Sequence, residues 1–304
     1  MDKLYDVIII GGGPCGYSAG LYATRAGLDT LVIEKMSPGG QMTLTGDIDN
    51  YPGFDQGIDG FTLGMQMQKG AERFGAKTEY AQVTAVDFSE KIKKITTTSG
   101  DFYGKTVIIA TGANPKKLGL LKENELTGKG VHYCAHCDGR FYKGKKVAVI
   151  GGGNSAAADA LYLANLCEKV YLIHRRDSLR ASRVYHQPIF DAENIEIIWD
   201  SQAVELSGDG RLSGITLENT KTAEKTNLTV DAIFVSIGRE PQSELFRDFL
   251  DIDPYGYIIA DETTKTNASG VFASGDVRTK ALRQVVTACA DGAVSAHFAE
   301  EYLI

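Results

Sequence analysis

The chain uses one local pattern twice, and that repetition restricts its fold more than any other feature. Tyr5 to Ile10 reads as a strand, Gly11-Gly12-Gly13-Pro14-Cys15-Gly16 as a tight glycine turn, Gly16 to Gly27 as a helix of small residues, and Asp29 to Glu34 as a second strand. The order returns downstream, with strand Lys145 to Ile150, turn Gly151-Gly152-Gly153-Asn154-Ser155-Ala156, helix Asn154 to Cys167 and strand Lys169 to His174. A strand joined to its parallel neighbour through a helix is a βαβ unit, so two such units imply an α/β protein built on parallel sheets. Each unit is followed by short β-rich runs and then an apolar strand ending in glycine, Val107 to Gly112 and Ile233 to Gly238. Both endings lead into a proline, Ala113-Asn114-Pro115 and Arg239-Glu240-Pro241, which marks two crossings between domains.

The glycine turns have the chemistry of phosphate cradles. In the first, Gly11 permits the turn, Gly13 lets the backbone approach a pyrophosphate, and Gly16 allows close packing of a helix whose N-terminus faces the phosphates. Glu34 lies 23 positions after Gly11, at the end of the second strand, where a carboxylate accepts hydrogen bonds from a ribose diol. In the second turn Ala156 replaces the third glycine, and the position 23 residues after Gly151 is His174, followed by Arg175 and Arg176. A carboxylate there would repel a 2′-phosphate, whereas guanidinium groups pair with it, so this lobe is expected to prefer NADPH. The expected fold class is α/β, with two Rossmann-like three-layer nucleotide-binding domains, the second inserted into the first. Residues 1–112 and 244–304 form one domain and residues 113–243 the other, because the roughly sixty residues after the second crossing are too few for a third domain.

Between the two loops stands Cys134-Ala135-His136-Cys137. Five cysteines in 304 residues do not make a disulfide scaffold, so a reducing compartment is expected and a Cys-x-x-Cys there is redox-active or metal-binding. With His132 and His136 nearby a zinc cluster can be imagined, but four ligands within six residues lack the separated pairs of tetrahedral zinc sites, and no metal is expected. The thiols are then a redox pair, with His136 able to place a positive charge beside them. Cys15, Cys167 and Cys289 read as small buried hydrophobes. A net charge of −7 without a Lys/Arg block argues against nucleic acid, and no apolar run approaches the roughly 18 residues of a membrane span. The polar lead-in Met1 to Asp6 carries no signal-peptide core, so a cytoplasmic location is expected.

Taken together, these motifs resemble the low-molecular-weight, bacterial-type thioredoxin reductases, of the class II pyridine nucleotide-disulfide oxidoreductases, over essentially the whole length. The resemblance rests on Gly11 to Gly16, Gly40-Gln41-Met42-Thr43, Asn50-Tyr51-Pro52-Gly53, Ala110-Thr111-Gly112, Cys134 to Gly139, Gly151 to Ala156, His174-Arg175-Arg176-Asp177 with Arg180, and Gly275-Asp276 followed by Arg283-Gln284. It implies an NADPH-dependent thioredoxin-disulfide reductase that passes hydride from NADPH to FAD, then electrons to a Cys134–Cys137 disulfide, then to thioredoxin, with domain rotation between the half-reactions. By the same resemblance Cys137 faces the flavin, Cys134 attacks thioredoxin, and Asp138 carries the proton. It assigns to FAD the residues Gly11, Gly13, Pro14, Gly16, Glu34, Lys35, Gly40, Gln41, Thr43, Asn50, Val83, Thr111, Gly112, Gly275, Asp276, Arg283, Gln284 and Val285. To NADPH it assigns Gly151, Gly153, Asn154, Ser155, Ala156, His174, Arg175, Arg176, Arg180, Ile237 and Gly238, and it implies a homodimer.

The chain departs from the family at His136, where Thr is usual, and at Ala158, where Glu is frequent. A cation beside the thiolate would favour the reduced pair. Rival readings keep the fold but change the partner to a peroxiredoxin-linked carrier, a ferredoxin donor or a small dithiol oxidised by oxygen. A different class of reading is a non-catalytic nucleotide-sensing or zinc-binding protein. His174, Arg175, Arg176 and Arg180 weigh against ferredoxin, and nothing marks a small-substrate pocket.

Overall fold

The structure, a computed structural model, describes residues 3–44 and 47–304, so Met1 and Asp2 of the polar lead-in lie outside the described residues. The chain divides into two compact units, Met1–Asn114 with Glu240–Ile304, and Pro115–Arg239.

The first unit is organised by its central strand Leu4–Ile10, which pairs in parallel with Thr30–Glu34 on one side and Gly100–Ile109 on the other. Lys77–Tyr80 extends the sheet beyond Thr30–Glu34, and Val271–Ala273, from the C-terminal part of the chain, joins Gly100–Ile109 in parallel. Two antiparallel strands, Lys93–Thr97 and Val83–Asp87, complete the seven. The run Val7-Ile8-Ile9-Ile10 is apolar at every position because both faces of the sheet are covered. Val7 and Ile9 pack with Ala19, Ala23, Ala288 and Ala296, whereas Ile8 and Ile10 pack with Phe88, Phe246 and Leu250. The alanines belong to helices Pro14–Arg25 and Val285–Leu303, which approach until a Cβ on Gly292 would overlap the carbonyl oxygen of Cys15.

The second unit carries a five-stranded, all-parallel sheet in the order Val131–His132, Ala232–Val235, Lys146–Ile150, Lys169–Ile173, Ile195–Ile198. Helix Asn154–Ala164 covers one face through Ala156, Ala157, Ala160 and Leu163. A three-stranded antiparallel sheet, Ser201–Gly208, Leu212–Asn219 and Lys225–Leu228, covers the other through Leu206, Ile215 and Leu217. These are the three layers of an α/β nucleotide-binding fold.

Element ends differ from the sequence reading for local reasons. The first helix starts at Pro14 rather than Gly16, because a proline at the first helical position gives up an N–H that had no partner there anyway. The second stops at Ala164, where the N–H groups of Leu166 and Cys167 fold back onto the Leu163 carbonyl at 3.0 and 2.8 Å. The proline-bearing segments Ala113–Pro115 and Arg239–Pro241 form a two-stranded sheet.

Candidate active site and nucleotide loops

The first glycine turn is shaped by its own backbone. Gly11 has φ +107°, and a Cβ there would overlap the Ala110 carbonyl oxygen; a Cβ on Gly16 would overlap that of Gly11. Those two glycines are explained by the fold. Gly13 is not, since a Cβ there would meet no protein atom within 4 Å, so its bare backbone is left open in front of the helix N-terminus. Such an opening fits a pyrophosphate brought against main-chain N–H groups. Glu34 reaches the same turn, accepting from the Gly12 N–H at 2.7 Å and, through its other oxygen, from the Met36 N–H at 3.0 Å. Its two oxygens hold further lone pairs for a diol.

The other FAD-assigned residues belong to the same unit, and some of them meet this turn. The Gly39 N–H donates to the Gly12 carbonyl at 2.8 Å, placing Gly40 beside Gly13, and Thr43 is tied by its hydroxyl to the Gly40 carbonyl. Gln41 donates to Asn114 at 2.7 Å, Asn50 to Gln284 at 3.0 Å, and the Thr111 hydroxyl to the Gln242 carbonyl at 2.6 Å. Gln284 caps the helix that begins at Val285. Gly275 packs against Cys15, which brings the short Gly275–Val277 turn and Asp276 to the start of the first helix. Lys35 is exposed next to Glu34, Gly112 has positive φ at the end of its strand, and Val83 begins a strand held near Glu34 by the Ala81 N–H. Arg283 is anchored within the protein: its guanidinium donates to the carbonyls of Asp276, Lys280 and Arg278 and lies over the Tyr257 ring at 4.0 Å.

The second turn repeats the construction. A Cβ on Gly151 would overlap the Ser236 carbonyl oxygen and approach the Ala156 methyl to 2.8 Å, and a Cβ on Gly153 would again meet nothing. His174 lies where Glu34 lies in the first unit, its ring packed so closely on Gly152 that a Cβ would overlap it. It is 6% exposed, and its Nε2 has no hydrogen-bond partner. Burial, helped by the charges of Arg176, Arg175 and Arg180, pushes its pKa down, so it is a neutral support and the cations are the three exposed arginines. The segment after it wraps back onto the turn. Arg180 and Ala181 donate their N–H groups to the Gly152 carbonyl at 2.7 and 3.1 Å, and the Ser182 N–H donates to the Asn154 side chain at 2.7 Å. Ser155 stands exposed in the first turn of the helix, while Ile237 is exposed and Gly238 accepts from the Lys116 N–H at 3.0 Å.

Cys134 and Cys137 form a disulfide, with an S–S distance of 2.11 Å, on a short helical turn Ala135–Asp138. The turn is seated on helix Asn154–Ala164: Ala135 is buried, and a Cβ on Gly139 would lie 2.8 Å from the Leu163 side chain. The helix that leaves the second glycine turn therefore also carries the disulfide segment. His136 is exposed, its ring 4.1 Å from that of Tyr162. Cys15 and Cys167 are buried and Cys289 half-buried; burial pushes all three thiols up, Cys167 to about 11, so none is a thiolate at neutral pH. Among the described residues no group of His, Cys, Asp and Glu is arranged to hold a metal, and no helix is long and apolar enough to cross a membrane.

Sequence reasoning missed a buried ionic cluster in the first unit. Arg278, 2% exposed, donates from Nε and Nη2 to the two oxygens of Asp291 at 2.8 and 2.9 Å; Lys280 adds a third bond at 3.0 Å and the Gly275 N–H a fourth at 2.8 Å. Asp291 thus ties the turn that bears Asp276 to the C-terminal helix. No motif marks these residues, since an Asp amid Ala-Cys-Ala-Asp-Gly has no local signature.

Known proteins share this sequence and fold. Residues 5–292 match the family model described as pyridine nucleotide-disulphide oxidoreductase. A thioredoxin reductase of Listeria monocytogenes is 44% identical over 99% of this chain and 95% of its own. Among solved structures, the thioredoxin reductase of Streptococcus pyogenes superimposes with a TM-score of 0.92 at 40% identity, covering 100% of this chain and 99% of the other. That of Giardia duodenalis gives 0.92 at 36% identity, covering 99% of each.

Proposed function

The chain belongs to the pyridine nucleotide-disulphide oxidoreductase family, and from that premise we propose that it reduces the disulfide of thioredoxin with electrons from NADPH. The observation that carries the reading is the Cys134–Cys137 disulfide built on the helix of the second nucleotide turn, in a protein with a second such turn of different charge. The open backbone at Gly13 with Glu34 beside it fits FAD, and the open backbone at Gly153 with Arg175, Arg176 and Arg180 fits NADPH. FAD, when bound, accepts hydride from a nicotinamide and yields two electrons to a disulfide. The domain assignment follows: residues 1–112 and 244–304 hold FAD, with Gln41, Asn50, Thr111, Asp276 and Gln284 toward the flavin, and residues 113–243 hold NADPH. The two lobes turn against one another about the segments Ala113–Pro115 and Arg239–Pro241 between half-reactions.

The reduced thiols do the exchange. Cys134 thiolate attacks the thioredoxin disulfide, forming a mixed disulfide and releasing one thioredoxin thiolate. Cys137, deprotonated through Asp138, then attacks Cys134 Sγ, closing the Cys134–Cys137 bond as the mixed disulfide breaks. One disulfide is reduced and two thiols are oxidised. We place the enzyme in the cytoplasm, in keeping with its three free cysteines, and as a homodimer, as the family resemblance implies.

Arg175→Ala with Arg176→Ala checks the cofactor and the reaction together. In a thioredoxin-coupled assay the double variant is expected to lose roughly ten- to a hundredfold in kcat/KM for NADPH, the worth of one or two charge-assisted hydrogen bonds, with NADH changed by less than about twofold. Equal losses with both nucleotides would reject a 2′-phosphate role. Glutathione disulfide or oxygen outrunning thioredoxin as acceptor would reject the substrate.

A further inference from the structure

His132 ends the strand Val131–His132, 7% exposed, and both of its ring nitrogens are engaged. Nδ1 lies 3.1 Å from Asp138 Oδ2, and Nε2 lies 2.8 Å from the Tyr142 hydroxyl. Phe234 stacks on the ring at 5.4 Å, and the buried Tyr142 meets it edge-on at 5.2 Å. Beyond Tyr142, Arg211 lies 5.9 Å from the phenol ring centroid. The charged and titratable groups facing this chain are Asp138, Tyr142, Arg211 and Asp231.

The hydrogen directions follow from the groups themselves. A carboxylate oxygen accepts from a ring N–H, so the contact with Asp138 places a hydrogen on Nδ1; in that tautomer Nε2 accepts, and the Tyr142 hydroxyl donates to it. Asp138 immediately follows Cys137, its side chain is 13% exposed, and it sits on a turn of only four residues. So short a turn does little to fix a carboxylate, whereas a ring clamped between Phe234 and Tyr142 does.

We propose that His132 is the positioning residue for Asp138, holding its carboxylate toward the thiols and dispersing its charge so that the exchanging thiolate forms. The proposal deepens the thioredoxin-reductase reading and takes its direction of electron flow from it. In the closing step the Cys137 thiol gives its proton to Asp138 as the Cys134–Cys137 bond forms and the bond from Cys134 to the partner sulfur breaks. Asp138 then returns that proton to the departing partner thiolate. His132 leaves this balance unchanged and governs only where the carboxylate stands.

Two readouts on the holoenzyme test it, one of which needs neither NADPH nor thioredoxin. With the pair reduced by dithiothreitol, the pH profile of iodoacetamide alkylation at Cys134 and Cys137 is compared in wild type, His132→Leu, His132→Asn, Asp138→Asn and the double variant His132→Leu/Asp138→Asn. His132→Leu is expected to move the profile upward by about half a pH unit or more, because Asp138 loses its donor and repels the thiolate more strongly. It is also expected to slow thioredoxin-coupled turnover about tenfold or more. His132→Asn keeps an amide donor toward Asp138 and is expected to restore the profile and turnover to within about threefold of wild type. In the Asp138→Asn background, His132→Leu is expected to cost less than about twofold, because the residue acts through Asp138. The proposal is overturned if His132→Leu matches wild type, if His132→Asn is as impaired as His132→Leu, or if the His132→Leu and Asp138→Asn losses multiply. Should wild type fail to turn over thioredoxin, the alkylation profiles still decide the role of His132, and only the substrate reading falls.

Discussion

Asp291→Ala is expected to lower the thermal transition of the first unit by roughly 10 °C and to release bound flavin, with little change in the second unit. The carboxylate is buried beside Arg278 and Lys280 and accepts hydrogen bonds from both and from the Gly275 N–H. Taking it away leaves the buried Lys280 ammonium without its counter-ion and Arg278 with only the exposed Glu262 carboxylate at 3.8 Å, which costs about 3–5 kcal/mol, whereas the intact group is nearly balanced between desolvation and attraction. A few kcal/mol in a domain of this size corresponds to about 2–4 °C each. Burial pushes the Asp291 carboxyl up, but the Arg278 and Lys280 contacts outweigh it and hold the group below its ordinary 3.8. A depressed folded value contributes stability above the ordinary value that is lost as pH falls through the folded one, so the wild-type advantage should shrink below about pH 4. Differential scanning calorimetry between pH 3 and 7 checks both statements. A shift under about 2 °C at pH 7 would mean that the cluster is not an anchor.

Cys134→Ser is expected to reduce thioredoxin turnover by about three orders of magnitude or more, while bleaching of the yellow protein by NADPH persists. A serine hydroxyl neither ionises near neutral pH nor forms a disulfide, so the exchange loses its nucleophile, and losses of a nucleophile are of this size or larger. The companion Cys137→Ser separates the two thiols. It keeps Cys134, which can attack the partner but cannot be displaced, and should therefore accumulate a covalent mixed disulfide visible on a non-reducing gel. If the complex accumulates in Cys134→Ser instead, the two thiols exchange roles.

The parts that were legible in the sequence are those where backbone geometry forces a residue type. Gly11 and Gly16 cannot carry a Cβ, and Gly13 and Gly153 face open space, so the two turns announce themselves without knowledge of anything distant. The 23-residue register placed Glu34 and His174 at equivalent positions, because one βαβ unit has a nearly fixed length. What that register did not convey was chemistry. His174 sits under the turn as a neutral ring, and its neighbours supply the positive charge. Arg283 stood out by its place in a motif, but the sequence did not show that its guanidinium also braces the carbonyls of its own loop. The Asp291 cluster and the His132–Asp138 contact were invisible because each depends on how a turn folds back in space. A histidine two residues before Cys134 suggested only a possible metal ligand until the short helix turned Asp138 toward it.

In the proposed reaction, electrons enter at the arginine-bearing lobe and leave through Cys134 and Cys137. That path is followed by adding NADPH anaerobically to the oxidised holoenzyme, alkylating the protein, and mapping the label by mass spectrometry. NADPH-dependent labelling is expected to be confined to Cys134 and Cys137, with NADH much less effective and with Cys15 and Cys167 unchanged. Labelling that does not rise with NADPH, or that rises equally with NADH, would rule out this electron path.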